Sequence, residues 1–564
     1  VIHPARYASL GELLQDAFIQ YKADPATIEL ERKRETARYS YAELRDASRR
    51  VSGWLHEQGL GVGSRVAIVA TNQSGWLISA AGALHLGCVL VPLDARLTPE
   101  EQATLLAHAG VEALVVDAHL WRQLKVDVPH VLVLSSRPRD DLGRAVSLES
   151  LPHAEPLPLA ERTRDDLAAI VYSSGTGGDP KGCMLTHGNY LAQYRALMES
   201  FEWRHGDRYL SILPTNHAID FMCGFVTAFA TGCTVVHQRT LRPEFIRWAM
   251  RRYRVCHMSV VPLVLESFAR TIRERTDELS GRRKQAFGLL KAINGRLTER
   301  GPRHDVSRWL LKPIHDGFGG QLRTIFCGGA FTDRATAELF HELGINVAIG
   351  YGLTEATTVV TLNDLAPFRG DTVGKAVPGV QVRIDDPGPD GVGEVWVRGP
   401  TVFAGYLDDP DQTAAAFEDG WLKTGDLGWL DGAHHLHLVG RRKNMIVTAG
   451  GKNIYPEDIE SSFHDLDVEE LAVFAENFIW PRQTMTDERL VAVVRPGEAD
   501  DWRRELARRN RGLPDFKRVS AVLTWDEAFP RTASLKVKRN DLAAHLRASC
   551  QQDDLLPVSP CRHP

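Results

Sequence analysis

Ile170-Val-Tyr-Ser-Ser-Gly-Thr-Gly-Gly-Asp-Pro-Lys-Gly182 is an apolar, strand-like run that empties into a loop of small and hydroxyl residues closed by a lysine. Such a loop suits a polyphosphate. Gly175, Gly177, Gly178 and Gly182 let backbone N–H groups turn toward an anion, Ser173, Ser174 and Thr176 add hydroxyl donors, and Lys181 adds a full charge. The P-loop of the common NTPases is excluded, because it requires Gly-Lys followed by Ser or Thr, whereas here Pro180 precedes Lys181 and Gly182 follows it. Taken alone, the loop leaves its use open.

Outward from this stretch the texture is that of alternating strands and helices. Before it, a helix is expected over Tyr41–Gln58, strands over Val66–Ala70 and Val89–Val91, and a helix over Gly75–Leu86 between them. The rhythm recurs at Ala113–Val116 and Val131–Leu134, so a parallel sheet follows. The charge-free span Val66–Leu93 has membrane length, but Thr71-Asn-Gln-Ser-Gly75 and Pro92 divide it, and it reads as buried core. The loop is expected to open a helix, since Thr186-His187-Gly188-Asn189 precedes the helical run Tyr190–Phe201, with Asn189 as its cap. The strand beginning at Leu210 ends in a turn carrying His217, whose plain reading is a satisfied loop histidine. Two further strands end in Gly-rich turns, Cys327-Gly-Gly-Ala330 and Gly350-Tyr-Gly-Leu-Thr-Glu355. Ligands on open parallel sheets gather at such strand ends.

Between residues 270 and 312 there are twelve Lys or Arg against five acids in helix-favouring sequence. The usual meaning is a solvated helical face, with contact to a membrane surface or an acidic partner as the second reading. Beyond Gly370 short β segments appear, and a boundary is expected at 440–443, followed by a domain of about 110 residues and a disordered tail from Gln551 to Pro564. The chain has 564 residues, too many for one core, and its net charge of -5 gives no reason to expect nucleic acid. Eight cysteines scattered without a Cys-x-x-Cys pair argue against zinc and a disulfide framework, and for a reducing, cytoplasmic setting. No secretory signal is expected from the opening Val-Ile-His-Pro.

Taken together, Ser173–Gly182, Tyr351-Gly-Leu-Thr-Glu355, Thr424-Gly-Asp426, Gly440-Arg441 and Pro530-Arg-Thr-Ala-Ser-Leu-Lys536 resemble, in order and spacing, the motifs of the adenylate-forming (ANL) superfamily. Residues 440–456 and 534–539 are most similar to the AMP-forming long-chain fatty acyl-CoA synthetases, as is the basic insertion. The resemblance implies an α/β fold, with a large N-terminal adenylation domain (1–440) of parallel-rich sheets plus a small β unit, and a mobile α+β lid (441–550) hinged at Lys443. It implies ATP, Mg²⁺ and coenzyme A as cofactors, and a carboxylic acid as substrate. Ser173, Ser174, Gly175, Thr176, Gly178 and Lys181 would belong to the phosphate loop, and Gly328, Gly329, Ala330, Tyr351 and Gly352 to the adenine site. Thr354 would contact phosphate, Glu355 with Thr176 would hold the metal, Asp426 and Arg441 the ribose, and Gly451 belongs to the same nucleotide site. Lys536 would reach the α-phosphate, and His217 would stand beside the reacting carboxylate. Gly177 departs from the family loop, which carries a second threonine there. Transfer to an acyl carrier protein, and a weakly active nucleotide-binding relative, remain the alternatives.

Overall fold

The computed structural model describes residues 2–135, 140–173, 181–299, 301–447, 453–464, 466–481, 489–497, 501–531 and 537–558. The chain divides into two compact units, Val1–Val382 with Val397–Leu422, and Arg383–Trp396 with Lys423–Pro564.

The first unit is built on two large sheets. One runs in the order Lys375–Ala376, Thr361–Leu362, Asn346–Tyr351, Thr324–Gly328, His257–Val260, Arg208–Ser211, Thr234–Gln238, Pro25–Glu31 and Arg34–Ser40, with its middle strands parallel and its outer ones antiparallel. The other runs Gly405–Tyr406, Lys181–Thr186, Leu167–Ser173, Val89–Leu93, Arg65–Val69, Ala113–Asp117, His130–Leu134 and Val146–Ser147, again parallel except at the first edge. Strands such as Arg65-Val-Ala-Ile-Val69 lack alternation because both of their faces are covered. The span Val66–Leu93 is indeed strand, helix and strand, and every residue of its helix from Ser74 to Leu84 is buried. A helix apolar all round belongs inside a core. No helix among the described residues is long and apolar enough to cross a membrane.

Three sequence expectations need correction. Lys181–Thr186 is a strand paired antiparallel with Leu167–Ser173, Ser173 opposite Lys181, so the Gly-rich loop joins two strands instead of opening a helix. The helix begins at His187 and its cap is Thr186. The Thr186 hydroxyl accepts from the Asn189 amide while the Asn189 side chain accepts from that of Thr186, a reciprocal box with Asn189 inside the helix. The expected tail holds a short turn, Gln552–Asp554, and a strand, Leu556–Pro557, on Ala521–Thr524, because Leu555 and Val558 bury against the core of the second unit.

The second unit carries the antiparallel pairing of Leu436–Arg441 with residues 426–430 of the strand Trp421–Leu430, and a sheet ordered Val468–Ala475, Leu490–Pro496, Ala521–Thr524, Leu556–Pro557. Pro456–Ser461 and Trp502–Gly512 supply residues to the core on one face of that sheet, and Arg539–Ser549 to the core on the other.

Candidate active site

Parallel strands Thr324–Gly328 and Asn346–Tyr351 are neighbours in register, Gly328 opposite Gly350, so both Gly-rich turns leave the same sheet edge side by side. Gly328 is half-buried there and Gly329 and Ala330 are exposed, and Gly329 has φ +88°, a conformation glycine takes at no cost. Tyr351 is buried. Gly352 is dictated by crowding: a Cβ at this position would lie 1.6 Å from the Thr358 carbonyl oxygen. The turn that follows is short and tightly held. Thr354–Ala356 form one 3-10 turn, Thr357 takes φ 68° and donates its hydroxyl to the Thr401 carbonyl at 2.6 Å, and the Val359 amide donates to the buried Gln193 side chain at 2.9 Å.

This turn brings Glu355 to the edge of the other sheet. Phe403 donates its amide to the Glu355 carbonyl at 2.9 Å, and the Tyr406 hydroxyl donates to Glu355 Oε1 at 3.1 Å. Tyr406 sits on the edge strand opposite Cys183, and Lys181 Nζ lies 5.4 Å from the centre of its ring. Burial and the Glu355 carboxylate push the Tyr406 phenol far above its ordinary range, so it stays a donor. Lys181, Tyr406 and Glu355 therefore form one cluster, a cation beside the ring of a phenol whose hydroxyl bonds the anion, where the Gly-rich loop ends. Tyr406 was not singled out from sequence. Its role depends on strand pairing between residues far apart, and the local run around Gly405-Tyr406 carried no signal of it.

His217 lies nearby through its own turn. The Thr358 hydroxyl donates to the Ala218 carbonyl at 3.2 Å, which ties the Glu355 turn to the one bearing His217. Beneath it stands a carboxylate that the sequence reading passed over inside an apolar stretch. Asp220 is fully buried and accepts hydroxyl hydrogen bonds from Tyr209 at 2.9 Å, Ser211 at 2.9 Å and Thr215 at 3.1 Å. Asn72 completes the network, donating to Ser211 and to the Leu213 carbonyl and accepting from the Thr215 amide. Both arms of the His217 turn are thereby fixed.

Burial pushes the Asp220 carboxyl up to about 6, against hydroxyl bonds that lower it. The unfolded chain then releases this proton before the folded one as pH rises, so stability falls between about pH 4 and pH 7. A folded value of about 6 against an ordinary 3.8 corresponds to about 3 kcal/mol. Asp220→Asn is expected to abolish that pH-dependent loss. Urea unfolding of both proteins across this range checks it, and a stability difference independent of pH would disprove the assignment.

In the second unit, Asp426 and Arg441 stand opposite each other across two antiparallel strands, with Arg441 Nε 2.9 Å from Asp426 Oδ1. Thr424 donates its hydroxyl to the Val395 carbonyl at 2.7 Å and accepts from the Asp426 amide at 3.1 Å. Gly425, at φ +70°, donates to Glu394, whose other oxygen pairs with Arg442 at 2.9 Å. Lys443 is exposed in the short turn Arg442–Asn444. The expected site residues Ser174, Gly175, Thr176, Gly178, Gly451 and Lys536, and the side chain of Ser173, lie outside the described residues.

A cation, a carboxylate and Gly-rich turns at the carboxyl ends of parallel strands suit an α/β enzyme that handles an anionic nucleotide. Residues 14–407 match the family described as AMP-binding enzyme. The chain is similar to a long-chain-fatty-acid–CoA ligase of Mycobacterium bovis (30% identity, 74% of this chain, 72% of that one). It is also similar to a 3-[(3aS,4S,7aS)-7a-methyl-1,5-dioxo-octahydro-1H-inden-4-yl]propanoyl:CoA ligase of Rhodococcus jostii (28%, 90% of this chain, 93% of that one). Among solved structures, ATP-bound MatB of Rhodopseudomonas palustris superimposes with a TM-score of 0.74 at 25% identity, covering 95% of this chain and 99% of the other. The chain belongs to the AMP-binding enzyme family, within the adenylate-forming superfamily. Its enzyme class is that of the AMP-forming acid–thiol ligases.

Proposed function

We propose that this ligase activates a medium- or long-chain carboxylic acid with ATP, forming acyl-AMP and pyrophosphate, and then transfers the acyl group to the thiol of coenzyme A. The cluster of Lys181, Tyr406 and Glu355 beside the Gly-rich loop carries the reading. A carboxylic acid is ionised at neutral pH, so its oxygen attacks the α-phosphorus without a general base, and the bond to pyrophosphate breaks. The obstacle is repulsion between anions, and the chain answers it with positioned charge at Lys181 and Lys536 and with the amides of the loop. His217 stands beside the acid. In the second step the thiol sulfur attacks the acyl carbon and AMP leaves with the bonding electrons.

Among the described residues no group of three or more His, Cys, Asp or Glu is gathered as a metal site. A single carboxylate suits Mg²⁺, which keeps water and phosphate oxygens as its other ligands. Glu355 with Thr176 would hold it, and bound there it would neutralise phosphate charge. The remaining role assignments follow the motifs: Ser173, Ser174, Gly175, Thr176 and Gly178 at the phosphates, Thr354 beside them, Gly328–Ala330, Tyr351 and Gly352 around adenine, Gly451 in the same site, and Asp426 with Arg441 at the ribose. Residues from 441 onward act as the lid, hinged at Lys443, with 1–440 as the adenylation part.

The acid class is tested by ATP–pyrophosphate exchange with straight-chain acids of graded length beside a bicyclic propanoate. Exchange rising from six- to sixteen-carbon acids, by about tenfold or more for about 1.4 kcal/mol of added apolar contact, is the expected result. Exchange only with the ring acid would replace the fatty-acid reading. Mass spectrometry of the product then separates coenzyme A from an acyl carrier protein as acceptor, and nucleotide binding without exchange would leave only the non-catalytic relative.

A further inference from the structure

The helix Gly281–Thr298 holds five Lys or Arg and no Asp or Glu. One face is rooted in the protein: Phe287 and Leu290 pack on the core, Asn294 donates to the Glu342 carbonyl at 2.9 Å, and Lys291 pairs with Glu342 at 2.8 Å. The opposite face is apolar as well. Leu289, Ile293 and Leu297, one turn apart in succession, are 63%, 39% and 37% exposed, and Arg282 and Arg296 fall seven residues either side of Leu289, on the same outward face.

An outward row of aliphatic side chains interleaved with arginines, free of acids, has the composition of a helix that lies in a lipid interface. A second copy of this face would meet it with like charge, which disfavours self-association. The charge contrast within the chain points the same way. Residues 270–312 carry seven more basic than acidic side chains, although the chain as a whole is at -5. An anionic surface therefore attracts this segment and repels the rest, which orients the molecule.

We propose that the outward face of Gly281–Thr298 is a docking surface for an anionic lipid bilayer, with Leu289, Ile293 and Leu297 entering the headgroup boundary and Arg282 and Arg296 pairing with lipid phosphates. The helix is rooted at Glu342, before the amino end of the strand Asn346–Tyr351, whereas the Glu355 turn follows the carboxyl end of that strand, so contact brings the enzyme to a phase in which apolar acids dissolve without blocking the chemistry.

The test is co-sedimentation of the full chain with phosphatidylcholine vesicles, with and without phosphatidylglycerol. Binding to the anionic vesicles only, reduced by high salt, is expected. A Leu289→Ser, Ile293→Ser, Leu297→Ser variant and an Arg282→Glu, Arg296→Glu variant should each lose at least tenfold in partitioning, with circular dichroism and ATP–pyrophosphate exchange in lipid-free buffer unchanged. Absence of binding by the parent, or equal binding by parent and variants, overturns the proposal. So does vesicle-independent oligomerisation of the parent that the serine variant abolishes, because that outcome assigns the face to a protein contact.

Discussion

Replacing Lys536 by alanine is expected to lower adenylate formation by about a hundredfold or more, the effect of removing one cation positioned at developing charge, roughly 3 kcal/mol. Thioester formation from a supplied acyl adenylate should be spared, as expected of a lysine carried on the proposed lid, which brings it to the phosphate for the first step and withdraws to admit the thiol. The side chain lies outside the described residues, but the chain on either side of it is firmly held within the second unit. Arg531 and Val537 pair as an antiparallel bridge, the Lys538 amide donates to the Pro530 carbonyl at 2.7 Å, and the Arg531 guanidinium bonds Glu470. Arg539 continues the anchoring with an ion pair to Glu460 and a hydrogen bond to the Val473 carbonyl at 2.7 Å. Loss of Lys536 should therefore leave stability close to that of the parent. The decisive measurement is the two half-reactions assayed separately on the same protein. Equal losses in both would reject a role confined to the first step.

Much of this architecture is legible in sequence where the signal is local. Valine-rich strands bounded by Gly turns, and the all-apolar helix between them, need both faces covered, so Val66–Leu93 reads as an internal strand, helix and strand before any partner is known. What escapes the reading is pairing over long distance. Lys181-Gly-Cys-Met-Leu-Thr186 has no alternation and looks like a lead-in to its helix, and only antiparallel pairing on Leu167–Ser173 makes it a strand. The segment after Gln551 is polar at its start, and its strand exists through Ala521 and Val522 alone. Tyr406 escaped for the same reason. Asp220 was within reach: one acid in a long apolar stretch must find donors when buried, and its three hydroxyl partners are the consequence.

Glu355→Gln keeps the shape of the side chain and removes its charge, and it is expected to reduce kcat/KM about a hundredfold at a fixed Mg²⁺ concentration, as for the loss of one ligand to a catalytic metal. The neighbouring groups allow this to be separated from damage to the fold. A glutamine carbonyl still accepts from the Tyr406 hydroxyl, now at 3.1 Å from Glu355, and the backbone bond from Phe403 is untouched. Stability should therefore change by less than about 1 kcal/mol. Tyr406→Phe supplies the complementary control, since it deletes the hydrogen bond and leaves the carboxylate charge in place. Burial and Glu355 hold the Tyr406 phenol protonated, so it contributes a donor and not an ionising group, and its loss should cost about tenfold or less. The two variants part on Mg²⁺. Glu355→Gln should require severalfold more metal for half-maximal rate and should show weaker Mg²⁺-dependent ATP binding by calorimetry, whereas ATP binding without metal stays near that of the parent. Tyr406→Phe should retain the parent's metal requirement. If Glu355→Gln also retains it, the carboxylate serves to hold Tyr406 over Lys181 and the metal is bound elsewhere.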